Sequence, residues 1–304
     1  MRIIDFGEKM DVRRDEPLCK HSTFRIGGCA EYAVFPRSVD ELVFALNVCK
    51  NQGIRHIVAG NGSNLLFSDE GFCGVVIFTS KMSSCEYIHK DGAVYVKVEC
   101  GKSLTELASE AGKKHSLSNL EFAYGIPGTV GGAVYMNAGA YGGQMSDVII
   151  ETEYFDPSDG KIKMLSKDEQ KLSYRHSIFQ EHREYIVVST TLRLTPGNAE
   201  EIFALMSKNM TSRKEKQPLE LPNAGSVFKR PADNIFPGKL IEDAGLKGYT
   251  VGGAQVSEKH AGFIVNIGGA TSRDVLSLIE HVKQTVFEKN AIMLECEIIF
   301  IPYN

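Results

Sequence analysis

Three short runs hold residue types able to do chemistry. In NAGSVFKRP, from Asn223 to Pro231, the hydroxyl of Ser226 stands three residues before Lys229, so a weak acid and a cation can meet in a restricted, partly dry site. The same serine also reads as an ordinary turn residue. In SYRHSIF, Tyr174-Arg175 offers a guanidinium that reads equally as an ordinary surface arginine. In LECEIIF, Glu295 and Glu297 share one face of a strand by period-two geometry, and on an ordinary strand that face is simply wet.

Two glycine-rich loops suggest what such groups could act beside. Tyr124 to Gly143, YGIPGTVGGAVYMNAGAYGG, holds seven of the chain's 29 glycines. Glycine lets backbone amides approach an anion with no Cβ in the way and reaches positive φ, so successive N–H groups can form a nest around a diphosphate. The run then turns apolar, which suits packing against a flat aromatic ring. AGNGSNLLF, Ala59 to Phe67, has the same character in weaker form. Tight turns and close helix packing are the alternative for both. Together, without Rossmann spacing, they suggest one extended cofactor lying across the first region.

Several familiar sites are absent. Gly101-Lys102-Ser103 resembles the end of a P-loop, but Val96 stands where the leading glycine belongs, so it reads as a turn opening a helix. Gly60-x-Gly62 meets Leu65 where a dinucleotide fingerprint needs its third glycine. None of the eight histidines forms HExxH or a close Cys/His cluster, so no metal is implied.

The elements that must position these groups alternate. Tyr32–Phe35 reads as a strand, and Ser38 caps a helix with Val39, Leu42, Val43, Leu46 and Cys49 on its apolar face, stopped by Gly53. His56–Ala59, Val75–Phe78, Ala93–Glu99 and Ile186–Leu194 read as strands, and Ser103–His115 as a helix facing inward with Leu104, Leu107, Ala108 and Ala111. A second region opens near Asn198. Ile202, Leu205, Met206 and Met210 are spaced as a helix, followed by a polar linker from Arg213 to Asn223. A helix at Gly238–Ala244, an apolar run at Phe263–Ile267, a helix over Ser272–Lys289 with Val275, Leu278, Ile279, Val282 and Val286 inward, and a strand at Leu294–Ile301 complete an α+β reading.

Composition sets the remaining bounds. The 304 residues allow about two domains, and 43% hydrophobic with 24% charged residues is ordinary globular composition. A net charge of −4 argues against a generic nucleic-acid binder. No apolar run approaches membrane-helix length, and Met1 to Pro17 mixes charges through any would-be signal core, so a cytoplasmic protein is expected. The seven cysteines form no CxxC pair and are expected to be reduced and mostly buried.

HSTFRIGGCAEY at His21 to Tyr32, AGNGSNLLF, YGIPGTVGGAVYMNAGAYG, SYRHSIF, NAGSVFKRP and LECEIIF together resemble, in order and over nearly the whole chain, the UDP-N-acetylenolpyruvoylglucosamine reductase family. That family makes UDP-N-acetylmuramate for bacterial peptidoglycan. The spacing between SYRHSIF and NAGSVFKRP is similar to its shorter, second subtype. The resemblance implies a two-part FAD-binding fold of the p-cresol methylhydroxylase type at 1–80 and 81–197, a smaller α+β substrate domain at 198–290, and a C-terminal strand at 291–304 returning to the FAD-binding region. It implies NADPH as reductant and UDP-N-acetylenolpyruvoylglucosamine as substrate in a ping-pong cycle.

Residue by residue, the resemblance makes Arg175 the stabiliser of enolate-like charge, Ser226 the proton donor and Glu297 the catalytic carboxylate, with Glu295 its neighbour. FAD contacts fall on Ala59, Gly60, Asn61, Gly62, Ser63 and Asn64, and on Gly125, Ile126, Pro127, Gly128, Thr129, Gly131 and Gly132. Tyr141, Arg213, Lys216 and Lys229 are carried over for the UDP-sugar or the nicotinamide nucleotide's phosphates, and Arg230 departs from the asparagine common in relatives. No histidine lies in AGNGSN to tether the flavin, so FAD is expected to be noncovalent. The rivals are a flavin oxidase of the same fold, which leaves Ser226 and Glu297 unexplained, and a nucleotide-sugar sensor, against which the intact trio weighs.

Overall fold

The structure is a computed structural model and describes residues 4–7 and 10–304; the charged opening read above lies partly outside them. The chain divides into two compact units, each discontinuous in sequence. The first comprises Met1–Arg13, Tyr32–Asn61 and Gly74–Ser212; the second comprises Arg14–Glu31, Gly62–Cys73 and Arg213–Asn304.

In the first unit, the expected alternation of elements is present. His56–Ala59 pairs in parallel with Val75–Phe78. The helix Val39–Asn51 starts where Ser38 accepts a hydrogen bond from the Glu41 N–H, which satisfies one of the orphan donors of its first turn. Its residues Leu42, Ala45, Leu46 and Cys49 join Val75 and Ile77 in one core. A larger antiparallel sheet runs in the order Lys161–Ser166, Ile149–Asp156, Ile186–Pro196, Ala93–Glu99, Cys85–Lys90. Against it lies the Leu104–His115 helix, which Ser103 caps by accepting from Glu106, so the Gly-Lys-Ser run does open a helix. Leu104, Leu107, Ala108 and Ala111 all enter this core, with Val96, Val98 and Leu192.

The second unit holds an antiparallel sheet ordered Asn223–Ser226, Phe263–Asn266, Ala254–Val256, Thr250–Val251. The Ser272–Asn290 helix, opened by a Thr271/Asp274 capping box, buries all five of its expected inward residues. They pack with Ala224, Val227, Phe228 and Ile264. Ile299–Ile301 pairs in parallel with Leu65–Phe67.

Four expectations need correction. Of the seven cysteines, expected to be mostly buried, only Cys49 and Cys100 are. Arg213–Lys216 is not linker but the end of an Ala199–Lys216 helix, because Arg, Lys and Glu are good helix formers and no proline intervenes before Pro218. Leu205 on that helix faces solvent, 45% exposed. The terminal strand is confined to Ile299–Ile301, preceded only by an isolated bridge between Phe228 and Cys296.

Candidate active site

The serine of NAGSVFKRP sits at a distortion. The register of Asn223–Ser226 against Phe263–Asn266 shifts between Asn223 and Ser226, and Gly225 between them has φ +82°, a left-handed conformation that a β-carbon would oppose. The Asn223 side chain accepts the Gly225 N–H at 2.9 Å and so closes the bulge. Ser226 is left half-buried, its hydroxyl donating to the Phe228 carbonyl at 3.3 Å, a long bond.

Directly after it, the chain meets the acidic segment. Glu297 donates its N–H to the Val227 carbonyl at 2.7 Å, and Lys229 donates its N–H to the Glu295 carbonyl at 2.9 Å, flanking the Phe228–Cys296 bridge. Ser226, Lys229, Glu295 and Glu297 are therefore brought into one short stretch of paired backbone. The two acids differ in setting. The Glu295 side chain is 72% exposed and pairs with Lys229 Nζ at 2.5 Å, whereas Glu297 is half-buried. Arg213, buried on its helix, donates to Gln217 at 3.1 Å, and Lys216 is exposed. Arg230 lies over the Phe236 ring, 5.2 Å from its centroid.

In the first unit, Arg175 is at the tip of a turn closed by reciprocal Ser173–His176 backbone bonds of 3.2 and 3.1 Å. Its own φ is +52°, and its Nη2 donates to the Gly139 carbonyl at 3.2 Å. The turn is fastened from behind. Buried Asn137 donates to the Ser173 carbonyl at 2.9 Å and accepts the Ser146 N–H at 2.9 Å, while Gln180 donates to the carbonyls of Tyr135 and Arg175. Sequence reasoning missed both. An asparagine alone among glycines and alanines is the available signal, since only its amide can satisfy several backbone groups at once. Tyr141 is the first residue of a two-residue hairpin turn with φ +53°, followed by Gly142 at +84°, and is exposed.

The glycine loops serve two purposes. A β-carbon at Gly60 would lie 2.2 Å from the Thr129 hydroxyl, and one at Gly131 would lie 2.9 Å from Cys100 Cβ, so these glycines permit close packing inside the protein. Gly132 is different: a β-carbon there meets nothing nearer than 3.7 Å. Asn61 Nδ2 donates to the Pro127 carbonyl at 3.1 Å, tying the first loop to the second. Among the described residues, the N–H groups of Gly60, Asn61, Gly128 and Thr129 donate to no protein acceptor. Spare amides beside an open glycine suit the phosphate and ring edges of a dinucleotide such as FAD. No group of three or more potential metal ligands occurs among the described residues. Burial pushes the Cys100 thiol up to about 12 and the Cys49 thiol up to about 11, which keeps both protonated and inert.

Comparison with known proteins decides the family. The chain is 47% identical over 298 residues to the UDP-N-acetylenolpyruvoylglucosamine reductase of Caldicellulosiruptor saccharolyticus, covering 97% of this chain and 94% of that protein. The chain belongs to the UDP-N-acetylenolpyruvoylglucosamine reductase family. The namesake from Caldanaerobacter subterraneus is 48% identical over 284 residues, 93% of this chain and 91% of its own. Residues 217–301 match the family model of the reductase's C-terminal domain, and residues 30–166 match that of an FAD binding domain. The solved reductase from Thermus caldophilus superposes with a TM-score of 0.79 at 34% identity, covering 97% of this chain and 99% of that one. A cholesterol oxidase from B. sterolicum reaches a TM-score of 0.51 at 12% identity over 64% of this chain and 39% of its own, which shows the fold alone. A reductase of this family is a flavin oxidoreductase, and the α+β, FAD-binding expectation is met.

Proposed function

We propose that this reductase uses NADPH and noncovalent FAD to convert UDP-N-acetylenolpyruvoylglucosamine to UDP-N-acetylmuramate, in the cytoplasm, as a step toward peptidoglycan. FAD, when bound and reduced by NADPH, would supply the hydride that the terminal methylene of the enol ether receives. Ser226, Arg175 and Glu297 manage the charge and the proton that follow. Negative charge develops on the carbon next to the carboxylate and on the carboxylate itself. Arg175, fixed by its bond to Gly139, offers donors aimed at charge that appears only in the transition state. The Ser226 hydroxyl gives its proton to that carbon; a serine is a weak acid, so it can do this only for a strongly basic partner held in place. Glu297, when protonated or hydrogen-bonded to the substrate carboxylate, favours the enol form. Lys229, Lys216, Arg213 and Tyr141 hold the nucleotide diphosphate, for which Lys229 exchanges its exposed ion pair with Glu295 at little cost.

The observation that carries this reading is the 2.7 Å bond from Glu297 to Val227, which fixes the acid beside the bulge that presents Ser226. The two amide-bearing loops, Ala59–Asn64 and Gly125–Gly132, are assigned to FAD by the same reasoning. An anaerobic spectrum tests it. The purified protein is expected to be yellow, to bleach with NADPH, and to regain colour with the enolpyruvyl substrate. Fast reoxidation by oxygen alone would make it an oxidase, and a colourless protein that refuses FAD would make it a sensor.

A further inference from the structure

The carbonyl of Glu297 lies in a gap between two pairings. On one side Cys296 bridges Phe228, and on the other Ile299–Ile301 runs parallel to Leu65–Phe67. The gap is filled from the AGNGSNLLF loop. Asn64 Nδ2 donates to the Glu297 carbonyl at 3.0 Å, and the Asn64 carbonyl accepts the Ile299 N–H at 2.9 Å. Asn64 thus grips the chain on both sides of Ile298 and sets the peptide plane that follows Glu297. The preceding peptide is set by Val227, which accepts the Glu297 N–H at 2.7 Å. With both peptides fixed, the direction of the Glu297 Cα–Cβ bond, from which the carboxylate is carried, is fixed too. Asn64 and Glu297 are both partly buried, so removing the donor leaves a carbonyl that water reaches poorly.

We infer that Asn64 is a positioning residue for Glu297, acting on reduction of the enolpyruvyl substrate through the carboxylate it orients. This rests on the role proposed above for Glu297. It gives the loop a task separate from contact with the cofactor: its side-chain amide is spent on the acid's backbone. A residue that acts through another has a signature, because its effect vanishes once the other is gone.

The test is a double-mutant cycle. Asn64→Leu removes the donor and keeps the branching of the side chain, and Asn64→Asp removes it with the original shape. Each is made alone and with Glu297→Gln, and the rate at which substrate reoxidises the reduced enzyme is measured by stopped flow. Alone, each Asn64 variant, saturated with FAD and bleached by NADPH beforehand so that any change in cofactor binding is separated, is expected to slow reoxidation roughly 10-fold to 100-fold. In the Glu297→Gln background the further loss should shrink to under about twofold. Amide hydrogen exchange at Ile299 in the apoprotein should be faster than in the parent. Equal losses in both backgrounds, or no loss once the enzyme is saturated with FAD, would overturn the inference. A Glu297→Gln enzyme with normal reoxidation would instead overturn the role of Glu297 and take this inference with it. Should Asn64→Leu not fold, Asn64→Asp decides by the same criteria.

Discussion

Arg175 holds a left-handed backbone, φ +52°, which costs a non-glycine residue about 1–3 kcal/mol. The reciprocal bonds of Ser173 and His176, with the Asn137 and Gln180 amides behind them, over-determine the turn and make the strain tolerable. What the strain secures is a guanidinium already bonded to Gly139 and pointing one way. Arg175→Gly should therefore melt no lower than the parent, or higher by up to about 1 kcal/mol of stability, while substrate reduction slows by about 10²-fold or more. Calorimetry and single-turnover kinetics on the same preparation check both halves; a variant that unfolds early would show that Arg175 is there for the fold. Arg175 was legible from SYRHSIF, but its strain was not. The φ is imposed by hydrogen bonds from Asn137 and Gln180, residues 38 and 5 positions away and outside the SYRHSIF run itself.

Elements whose pattern is local read well from sequence. Every inward residue expected on Ser272–Asn290 is buried, because helix spacing and a Thr271 cap depend on neighbours only. The bulge at Gly225 depends on a partner strand, and the helix end at Lys216 on how far good helix formers outweigh a polar appearance. The glycine loops show the same division. Gly132→Ala adds a methyl at ordinary contact distance from Thr129 inside a short helix, so the apoprotein should be unharmed or slightly stabilised, by about 0.5–1 kcal/mol, yet bind FAD more weakly. Gly60→Ala meets Thr129 and should lower the melting temperature of the apoprotein itself. Thermal melts of apoprotein beside flavin titrations separate the two, and equal melting would remove the distinction. The second unit also carries a pH dependence. Burial holds the His260 pKa below the usual histidine value, and its Nδ1 accepts the Gly262 N–H at 3.1 Å, one residue from Phe263, which pairs with Ser226. The unfolded chain therefore binds this proton more readily, so the contribution to stability is complete above about pH 6.5 and is lost as pH falls through the folded value. Melting midpoints between pH 7.5 and about 5 should fall more steeply in the parent than in His260→Asn, which keeps an acceptor but no titration. Parallel curves would assign the acid sensitivity elsewhere.

At the scale of the whole molecule, composition set few bounds beyond a globular chain of about two domains. The division into two discontinuous units was hidden, since the chain passes from one to the other at Arg13, Glu31, Asn61 and Cys73 without a linker to mark any of them, and only the crossing after Ser212 meets the polar stretch read from Arg213 to Asn223. No described helix is long and apolar enough to cross a membrane. The proposed chemistry is tested on the intact enzyme. Stopped flow on Ser226→Ala is the most direct measurement, because the two half-reactions have different needs. Bleaching by NADPH requires no proton for carbon and should proceed at nearly the parent rate. Reoxidation by the enolpyruvyl substrate ends with protonation next to the carboxylate and should slow by roughly 10²-fold to 10⁴-fold, with substrate affinity moving far less. An alanine variant that the substrate reoxidises at the parent rate would contradict the account and leave Glu297 as the better candidate for the proton donor.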